Sequence, residues 1–590
     1  MILQSLVACY EAMAAAGKLD RPGWSPVGVA YGLEVDETGA LVSVIPLKLE
    51  VSSGEKTVLR PQMLTVPAQV KRASGVKANF LCDNSSYFLG IDNKGNPKHT
   101  ANCFQAAGEL HRQLLGPLSS PGAQAVCRFF ETWKPEQAME SAVLAESRED
   151  ILKGANLVFW FRDGYVHNEP EVQTAWQTSY DARSGAGEQR RCLVTGQMAP
   201  VARLHPTIKG IRDGQPMGNS LVSFNAPAFT SYDWEQGLNA PTSEYAAFAY
   251  GAALNALLAD RNRVQTIGDA TVVCWASDAE CAYQDAFAAM VFGSMPDSIS
   301  DGDLSGLLKK LAHGQAANWN AVPLRPTNPF FILGLAPNAA RLSVRFFIRD
   351  TFGALAEKLN RHDQRLEIVR PSDDPRESLS LWSLLNETVN QKAQKKTPSP
   401  EMSGDTLRAI LTDGLYPATL YEGIQLRIRA EHRVTRGRAA IIKAYLLKNT
   451  AGAAEYQNYK EALSVELNEQ TTYTPYILGR MFAVLENIQE QANPGINATI
   501  KDKYFNSACS MPDSIFPTLI NLAQKHLKKI KGANKGAYVN LDRQLIKLTN
   551  TIDNGYPTHL SLHDQGIFQL GYYHQTQKRY EKKQEGINHD

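Results

Sequence analysis

The segment that decides the N-terminal fold is residues 27–50, VGVAYGLEVDETGALVSVIPLKLE. Apolar and polar residues alternate on both sides of Asp36-Glu37-Thr38-Gly39, and this alternation is the period of a half-buried strand. Gly39 can adopt the positive φ that a tight turn requires. The segment therefore predicts a β-hairpin.

Outward from this hairpin the sequence predicts further strands and then mostly helices. The predicted strands are 156–162, 271–276 and 341–348, and the predicted helices are 3–13, 241–260, 480–492, 514–530, 538–552 and 562–582. The expected fold class is α+β, with a large mixed N-terminal domain of short β-sheets and helices and a C-terminal α-helical bundle.

A lysine- and proline-containing stretch at 391–404 predicts a linker between these two parts, because its composition argues against a packed element. The expected domains are therefore residues 1–390, with a further sub-boundary near 150, and residues 405–590.

Cysteine usage and hydropathy bear on the compartment. None of the eight cysteines forms a Cys-x-x-Cys pair, which is typical of scattered thiols in a reducing compartment. A secretory signal has Lys or Arg before its apolar residues, and this N-terminus has none. The longest apolar stretch, between Glu244 and Asp260, has 15 residues and is too short for a membrane span. We expect a soluble, cytoplasmic protein without membrane contact.

Motifs for catalysis are few. The sequence lacks Gly-x4-Gly-Lys-Ser/Thr, Gly-x-Ser-x-Gly and His-Glu-x-x-His. His559, His563 and Asp564 carry groups that suit divalent metals, so a metal-dependent nuclease is the alternative function. The preceding Gly555-Tyr556-Pro557 favours a loop or a helix start, where the same residues would have capping or surface roles. We expect no catalytic residue, metal or cofactor, and a cleavage assay with added divalent metals separates the two classes.

The overall charge gives no sign of nucleic-acid binding, since 61 Lys and Arg stand against 60 Asp and Glu. Any such surface must be local. Residues 71–98 contain five cations, three glycines and four asparagines. Cations suit phosphates and amides suit base edges, although an ordinary solvated, turn-rich surface has the same composition. The candidate motif-binding residues are Lys71, Arg72, Lys77, Asn79 and Asn84.

Three further stretches have the cations that a phosphate backbone demands. Residues 427–443 have six cations and one acid, a local sum of +5, although a solvated helix face is the alternative. The other stretches are a positively charged loop within 190–215 and one face of the helix 514–530. The candidate backbone-binding residues are Arg203, Lys209, Arg212, Gln215, Arg427, Arg429, Arg433, Arg436, Arg438, Lys525, Lys528 and Lys529.

Blocks along nearly the whole chain resemble one family, the large subunit of the type I-C CRISPR Cascade complex. They include RPGWSPVGVAYGLEVDETGALVSVIPL (21–47), NFLCDNSSYFLGID (79–92) and CLVTGQMAPVARLHPTIKGIRDGQ (192–215), followed by NAPTSEYAAFAYGAALNALL (239–258), FFILGLAPNAARLSVRFF (330–347) and QGIFQLGYYHQTQ (565–577). Each block alone is a weak match, and their shared order makes the resemblance strong.

The resemblance implies a non-catalytic subunit that recognises a short T-rich protospacer-adjacent motif in duplex DNA, starts strand separation and helps dock a helicase–nuclease. Guide RNA would read the long sequence and protein the short motif. The implied partners are the CRISPR RNA-containing complex, with its backbone, five-prime-handle-binding and small subunits, together with target duplex, displaced strand and helicase–nuclease. The resemblance also implies a separate small subunit made by internal translation, for which Met481, giving 481–590, or Met402 is the expected start.

Overall fold

The structure is a computed structural model that describes residues 2–53, 56–70, 72, 75–184, 187–294, 299–394, 396–553 and 555–580, without the side chains of 51–53, 56, 57 and 184. Contacts divide the chain into two compact units, Met1–Thr207 with Ser220–Leu254, and Ile208–Asn219 with Asn255–Asp590. The α+β fold class is confirmed, because small sheets lie in the N-terminal part and helices dominate the C-terminal part.

The first unit is mixed α and β. Its strands are β1 Trp24–Val29, β2 Tyr31–Val35, β3 Leu41–Pro46, β4 Lys48–Ser53, β5 Lys56–Pro67, β6 Cys82–Asp83, β7 Leu157–Phe161, β8 Gly164–Tyr165, β9 Gln189–Arg191 and β10 Met198–Pro200. The helices that begin in it are α1 Ile2–Ala15, α2 Ser85–Phe88, α3 Pro97–Leu115, α4 Pro121–Thr132, α5 Arg148–Leu152, α6 Pro170–Ser184 and α7 Glu244–Ala259.

The predicted hairpin is confirmed as β2 and β3, which pair antiparallel from Tyr31 opposite Pro46. Gly39 has a φ of +83°, and the Asp36 carboxylate accepts hydrogen bonds from the N–H groups of Thr38 and Ala40 at 2.8 and 3.0 Å. β2 also pairs in parallel with β7, the strand predicted at 156–162. The hairpin therefore forms one side of the sheet, with β3 at the edge and β2 between β3 and β7.

The larger apolar core of this unit includes both Leu144 and Leu157. Residues on both sides of the expected sub-boundary near residue 150 therefore pack together, and the sub-boundary itself stays a prediction. A shared core also holds β7 against β2.

The remaining strands are β11 Thr207–Ile208, β12 Asn219–Ser220, β13 Gln265–Ile267, β14 Ala270–Ala276, β15 Ala317–Trp319, β16 Val322–Leu324, β17 Pro329–Asn338 and β18 Arg341–Thr351. They form a sheet of order β11-β12-β18-β17-β14-β13 and a small β15–β16 pair. Strands predicted at 271–276 and 341–348 are confirmed within β14 and β18.

Helices make up the rest of the second unit. They are α8 Ala282–Phe292, α9 Asp301–Ala312, α10 Phe352–Leu366, α11 Leu381–Asn386, α12 Pro400–Thr412, α13 Ala418–Glu431, α14 Arg436–Asn449, α15 Tyr456–Tyr459, α16 Thr474–Ala492, α17 Ile500–Ser510, α18 Pro512–Ala533, α19 Lys535–Asn550 and α20 Leu562–Tyr580. The four helices predicted near the C-terminus are confirmed as α16, α18, α19 and α20, whereas α8 to α15 and α17 were not predicted individually. None of the helices in the described part of the chain combines the length and apolar character needed to cross a membrane.

The predicted linker is shorter than expected, since α12 begins at Pro400 and buries Met402. One apolar core includes Leu385 before the linker and Met402 after it. The compact units accordingly divide at other positions than the boundary expected at 390. All eight cysteines are free thiols, and seven are buried.

Candidate nucleic-acid interface

The loop that carries the motif-binding candidates is built around an ion pair between Arg72 and Asp83. One guanidinium nitrogen of Arg72 donates to Asp83 Oδ1 at 2.9 Å, and another contacts Oδ2. The Nε of Arg72 donates to the backbone carbonyl of Lys77 at 2.7 Å, and the guanidinium lies 3.9 Å above the Tyr87 ring. Arg72 is therefore a structural clamp of this loop, with its charge and donors turned inward.

Asp83 ends strand β6 with a side chain that is only 2% exposed. Burial raises the pKa of its carboxyl, and Arg72 opposes that rise. The carboxylate also accepts the N–H groups of Asn79 and Asn84 at 2.9 and 2.8 Å. A buried carboxylate is stable only when paired and hydrogen-bonded, so this one residue fixes both asparagine backbones.

The two candidate base readers have different environments. Asn79 is 5% exposed, and its side-chain oxygen accepts the N–H of Val70 at 2.9 Å. Asn84 is half-buried and caps α2, because its side-chain oxygen accepts the N–H of Ser86 at 3.0 Å. Asn79 thus has a structural role inside the loop. Among the described residues the Nδ2 of Asn84 has no hydrogen-bond partner, so its amide can still donate.

Lysines provide the outward charge of this region. Lys77, Lys94 and Lys98 are exposed, whereas Lys71 lies outside the described residues. The four described motif residues therefore separate into a clamp (Arg72), an interior support (Asn79), a capping amide (Asn84) and an exposed cation (Lys77). Sequence reasoning missed Asp83 and Tyr87 as the partners that hold Arg72, although an acid and an aromatic residue within the same basic stretch are a visible signal.

The second predicted cluster is divided between the two units. Arg203 belongs to the first unit and approaches Glu235 at 3.7 Å, whereas Lys209, Arg212 and Gln215 belong to the second unit. Lys209 and Gln215 are exposed, and Arg212 is exposed beside Asp213 at 3.6 Å.

The third predicted cluster is largely neutralised inside the second unit, which corrects the expectation of an open patch. The Arg438 side chain is 4% exposed and forms ion pairs with Glu387 at 3.3 Å and Glu431 at 2.6 Å. Arg436 is 9% exposed and pairs with Asp374 at 3.3 Å. Neither side chain can reach a phosphate without breaking these pairs.

The outer arginines of this cluster differ among themselves. Arg427 is mostly buried and lies 3.7 Å from Glu431, whereas Arg429 is exposed but donates to Gln565 Oε1 at 2.8 Å. Arg433 is exposed, and no side-chain acceptor lies in hydrogen-bond range of it within the described ranges. Of the cations behind the local charge of +5, therefore, Arg433 and, in part, Arg429 are available to an anion.

Lys443 ends this stretch as a buried helix cap. Its Nζ donates to the carbonyls of Glu367 at 2.6 Å and Arg365 at 3.3 Å, at the C-terminus of α10. Burial lowers the pKa of this ammonium to about 8. The carbonyl end of the helix dipole stabilises a cation at this position, whereas desolvation destabilises the charged form of Lys443.

Lys443→Met is expected to remove a pH dependence of stability. Because the folded pKa lies below the unfolded value, the unfolded chain binds more protons between pH 8 and 10.5, and stability rises with pH. The free energy of unfolding of the parent, minus that of Lys443→Met, should rise by up to about 3 kcal/mol across this window. Urea unfolding at several pH values measures the difference, and a flat difference would contradict the assignment.

Lys525, Lys528 and Lys529 are exposed on α18, as predicted. The Nζ of Lys529 donates to Asn493 Oδ1 at 2.9 Å. No carboxylate lies within ion-pair distance of these lysines in the described ranges. Of the predicted backbone-binding groups, this face keeps its positive charge best.

The alternative metal site does not assemble within the described residues. Asp564 accepts hydrogen bonds from the hydroxyls of Tyr473 at 2.6 Å and Ser561 at 2.8 Å, and it lies in the first turn of α20. His563 lies near the rings of Tyr421 and Tyr445. Over the described ranges, no three His, Cys, Asp or Glu side chains come together as metal ligands.

Comparison with known protein families defines the class of this chain as a CRISPR-associated protein, a Cascade-type subunit. More particularly, residues 6–580 match the family CRISPR-associated protein (Cas_Csd1), and the chain belongs to that family. This match confirms the family resemblance of the sequence blocks. No curated protein matches the chain in sequence.

Proposed function

We propose that this chain is the non-catalytic large subunit of a type I-C Cascade complex in the cytoplasm. In this proposal it recognises the protospacer-adjacent motif in duplex DNA, promotes strand separation and R-loop formation, and helps recruit the helicase–nuclease. Family membership over nearly the whole chain supports the place in Cascade. The observation that carries the DNA-reading part is the loop at residues 75–92, which the pair of Arg72 and Asp83 clamps.

The clamp gives the loop a defined shape before DNA binds. The Arg72–Asp83 pair fixes the backbone of Asn84. The Ser86 N–H then fixes the side-chain oxygen of Asn84. A preorganised donor loses little entropy on binding, so the free amide of Asn84 is suited to donate to an acceptor on a base edge. Lys77 would contact a neighbouring phosphate.

Other cations would contact the DNA backbone without reading sequence. Lys209, Arg212, Arg433 and the exposed lysines of α18 retain accessible charge, and Gln215 adds an accessible amide. Arg436 and Arg438 are not part of this proposal, because acids already neutralise them.

Asn84→Ser should lower motif discrimination by the assembled complex by about tenfold, the loss of one base contact of roughly 1–3 kcal/mol. A serine hydroxyl still caps α2, so the fold is kept while the amide donor is lost. The ratio of the Kd values for motif-free and motif-containing duplexes measures the effect.

The matched control is Asn534→Ser, which replaces the asparagine cap of α19 in the same way and should leave the ratio unchanged. Equal losses of affinity for both duplexes in Asn84→Ser would assign Asn84 to a phosphate instead of a base. An unchanged ratio would remove it from motif reading altogether.

A further inference from the structure

A short loop in the first unit displays an aromatic side chain into solvent. Tyr232 is 90% exposed, and its neighbours within residues 227–235 are exposed as well. Trp234 lies beside it, with ring centroids 6.1 Å apart, and the guanidinium of Arg190 covers the Trp234 ring at 4.4 Å. Together with Arg203 and exposed Leu204, these residues are called the Tyr232 surface.

The backbone of this loop is strained. Tyr232, Asp233 and Gln236 have φ values of +53°, +58° and +47°. The left-handed region is unfavourable for residues with a Cβ, and for a bulky aromatic residue it is an outlier. Such strain persists where surrounding structure enforces it, and it concentrates at ligand clamps and binding sites.

Asn239 is the residue that enforces this conformation. Its side-chain oxygen accepts the N–H of Ser231 at 2.8 Å, and its Nδ2 donates to the carbonyls of Trp234 at 2.7 Å and Gln236 at 3.0 Å. The loop is also bonded to an earlier part of the chain, because the N–H of Gly237 donates to the carbonyl of Arg203 at 3.1 Å. The loop therefore holds Tyr232 outward at a conformational cost that no burial of its ring repays.

Charge selects the kind of partner. A phosphate backbone needs uncompensated cations, but the segments that form this surface contain three arginines and three carboxylates, and two of the arginines are already paired, Arg190 with Glu188 at 2.6 Å and Arg203 with Glu235 at 3.7 Å. The charged groups are Arg190, Arg191, Arg203, Glu188, Asp233 and Glu235. Tyr, Trp and Arg anchors with exposed apolar neighbours and balanced charge are instead the composition of a protein-binding hot spot.

We infer that the Tyr232 surface is a protein-docking site, on which a neighbouring protein subunit of the CRISPR ribonucleoprotein packs with an apolar pocket around the Tyr232 ring. The inference rests on the proposed place of the chain in the assembled complex. A permanent neighbour fits better than nucleic acid, because a preformed, charge-neutral aromatic anchor gains from desolvation and offers no net attraction to phosphates.

The test measures binding of the full-length chain to a complex that lacks it, in the absence of target DNA. Tyr232→Ala should weaken binding about tenfold or more, as truncation of a hot-spot aromatic does. Tyr232→Phe keeps the ring and should stay within about threefold of the parent. Met217→Ala removes a comparably exposed side chain from the second unit and should have no effect.

A second variant separates function from folding. Glycine adopts positive φ freely, so Tyr232→Gly should lose binding while its unfolding temperature equals or exceeds that of the parent. A fall of several degrees would make Tyr232 a structural residue and overturn the inference. Normal assembly of Tyr232→Ala would also overturn it, and if that complex then bound DNA poorly, the ring would belong to a nucleic-acid contact. Because assembly is measured without DNA, failure of motif reading by Asn84 leaves this result unaffected.

Discussion

Gly479→Ala is expected to destabilise the C-terminal helices by about 3 kcal/mol or more, which is a large effect for a single methyl group. Gly479 lies in α16 where that helix crosses α20. A Cβ at this position would lie 1.9 Å from the carbonyl oxygen of Phe568 and 2.9 Å from the backbone nitrogen of Tyr572. Backbone atoms cannot rotate away as a side chain can, so the helices would have to separate.

The crossing is close from both sides. A Cβ at Gly571 of α20 would lie 2.2 Å from the carbonyl oxygen of Tyr476. The two glycines therefore allow direct backbone contact between α16 and α20, the pair on which the C-terminal bundle is built. Protein interiors are close-packed, so separation of this pair would lose contacts along both helices.

Hydrogen–deuterium exchange of α20 in the full chain measures this loss as faster opening. Gly306→Ala is the matched control, because Gly306 lies inside α9, where an added Cβ would meet no neighbouring group within 4 Å. This exposed helical substitution should stabilise the protein by about 0.5–1 kcal/mol. Equal protection of α20 in Gly479→Ala and the parent would show that the crossing can relax.

Arg72→Met should destabilise the first unit by about 3 kcal/mol, because it leaves the buried Asp83 carboxylate without its counter-ion. Methionine keeps most of the apolar volume and removes the charge. The effect should appear as increased hydrogen exchange across residues 75–92. Arg162→Met is the control, since its ion pair with Glu37 is exposed on both sides and should contribute less than about 1 kcal/mol.

The pH dependence of the Arg72→Met effect has a defined sign. Burial already raises the pKa of Asp83 in the parent, and Arg72 opposes it, so the variant should have a still higher pKa. A raised carboxyl pKa makes the folded state bind the proton more tightly, which favours folding as the pH falls. The deficit of Arg72→Met should therefore shrink below the pKa of Asp83. Adding Asp83→Asn should recover part of the loss at neutral pH, and a deficit independent of both changes would contradict the clamp.

Local patterns in the sequence predicted much of the fold. The hairpin around Asp36 and Gly39 was correct because alternation and turn chemistry act within a few residues. The buried strand at 156–162 was correct for the same reason. Its parallel partner β2 was not predictable from periodicity, because that pairing joins segments more than 120 residues apart.

The candidate site was less predictable, because neutralisation of charge is a long-range property. Arg436 pairs with Asp374 and Arg438 with Glu387, and both acids lie outside the window in which the cations were counted. The basic stretch at 427–443 therefore had the composition of an anion-binding surface while its side chains form an internal ion-pair network. At 71–84, proximity in sequence did reflect proximity in space, but burial reversed the expected roles of Arg72 and Asn79.

The close crossing of α16 and α20 also bears on the proposal of a separate small subunit. A chain that begins at Met481 would lack Tyr476, whose hydroxyl lies 2.8 Å from Nδ1 of His574. In the full chain, burial lowers the pKa of His574 to about 3, so its imidazole is neutral at physiological pH. In the shorter chain, without Tyr476 over it, the pKa of His574 would return toward about 6.5. The same histidine would therefore stay neutral in the long polypeptide and would titrate near neutral pH in the short one.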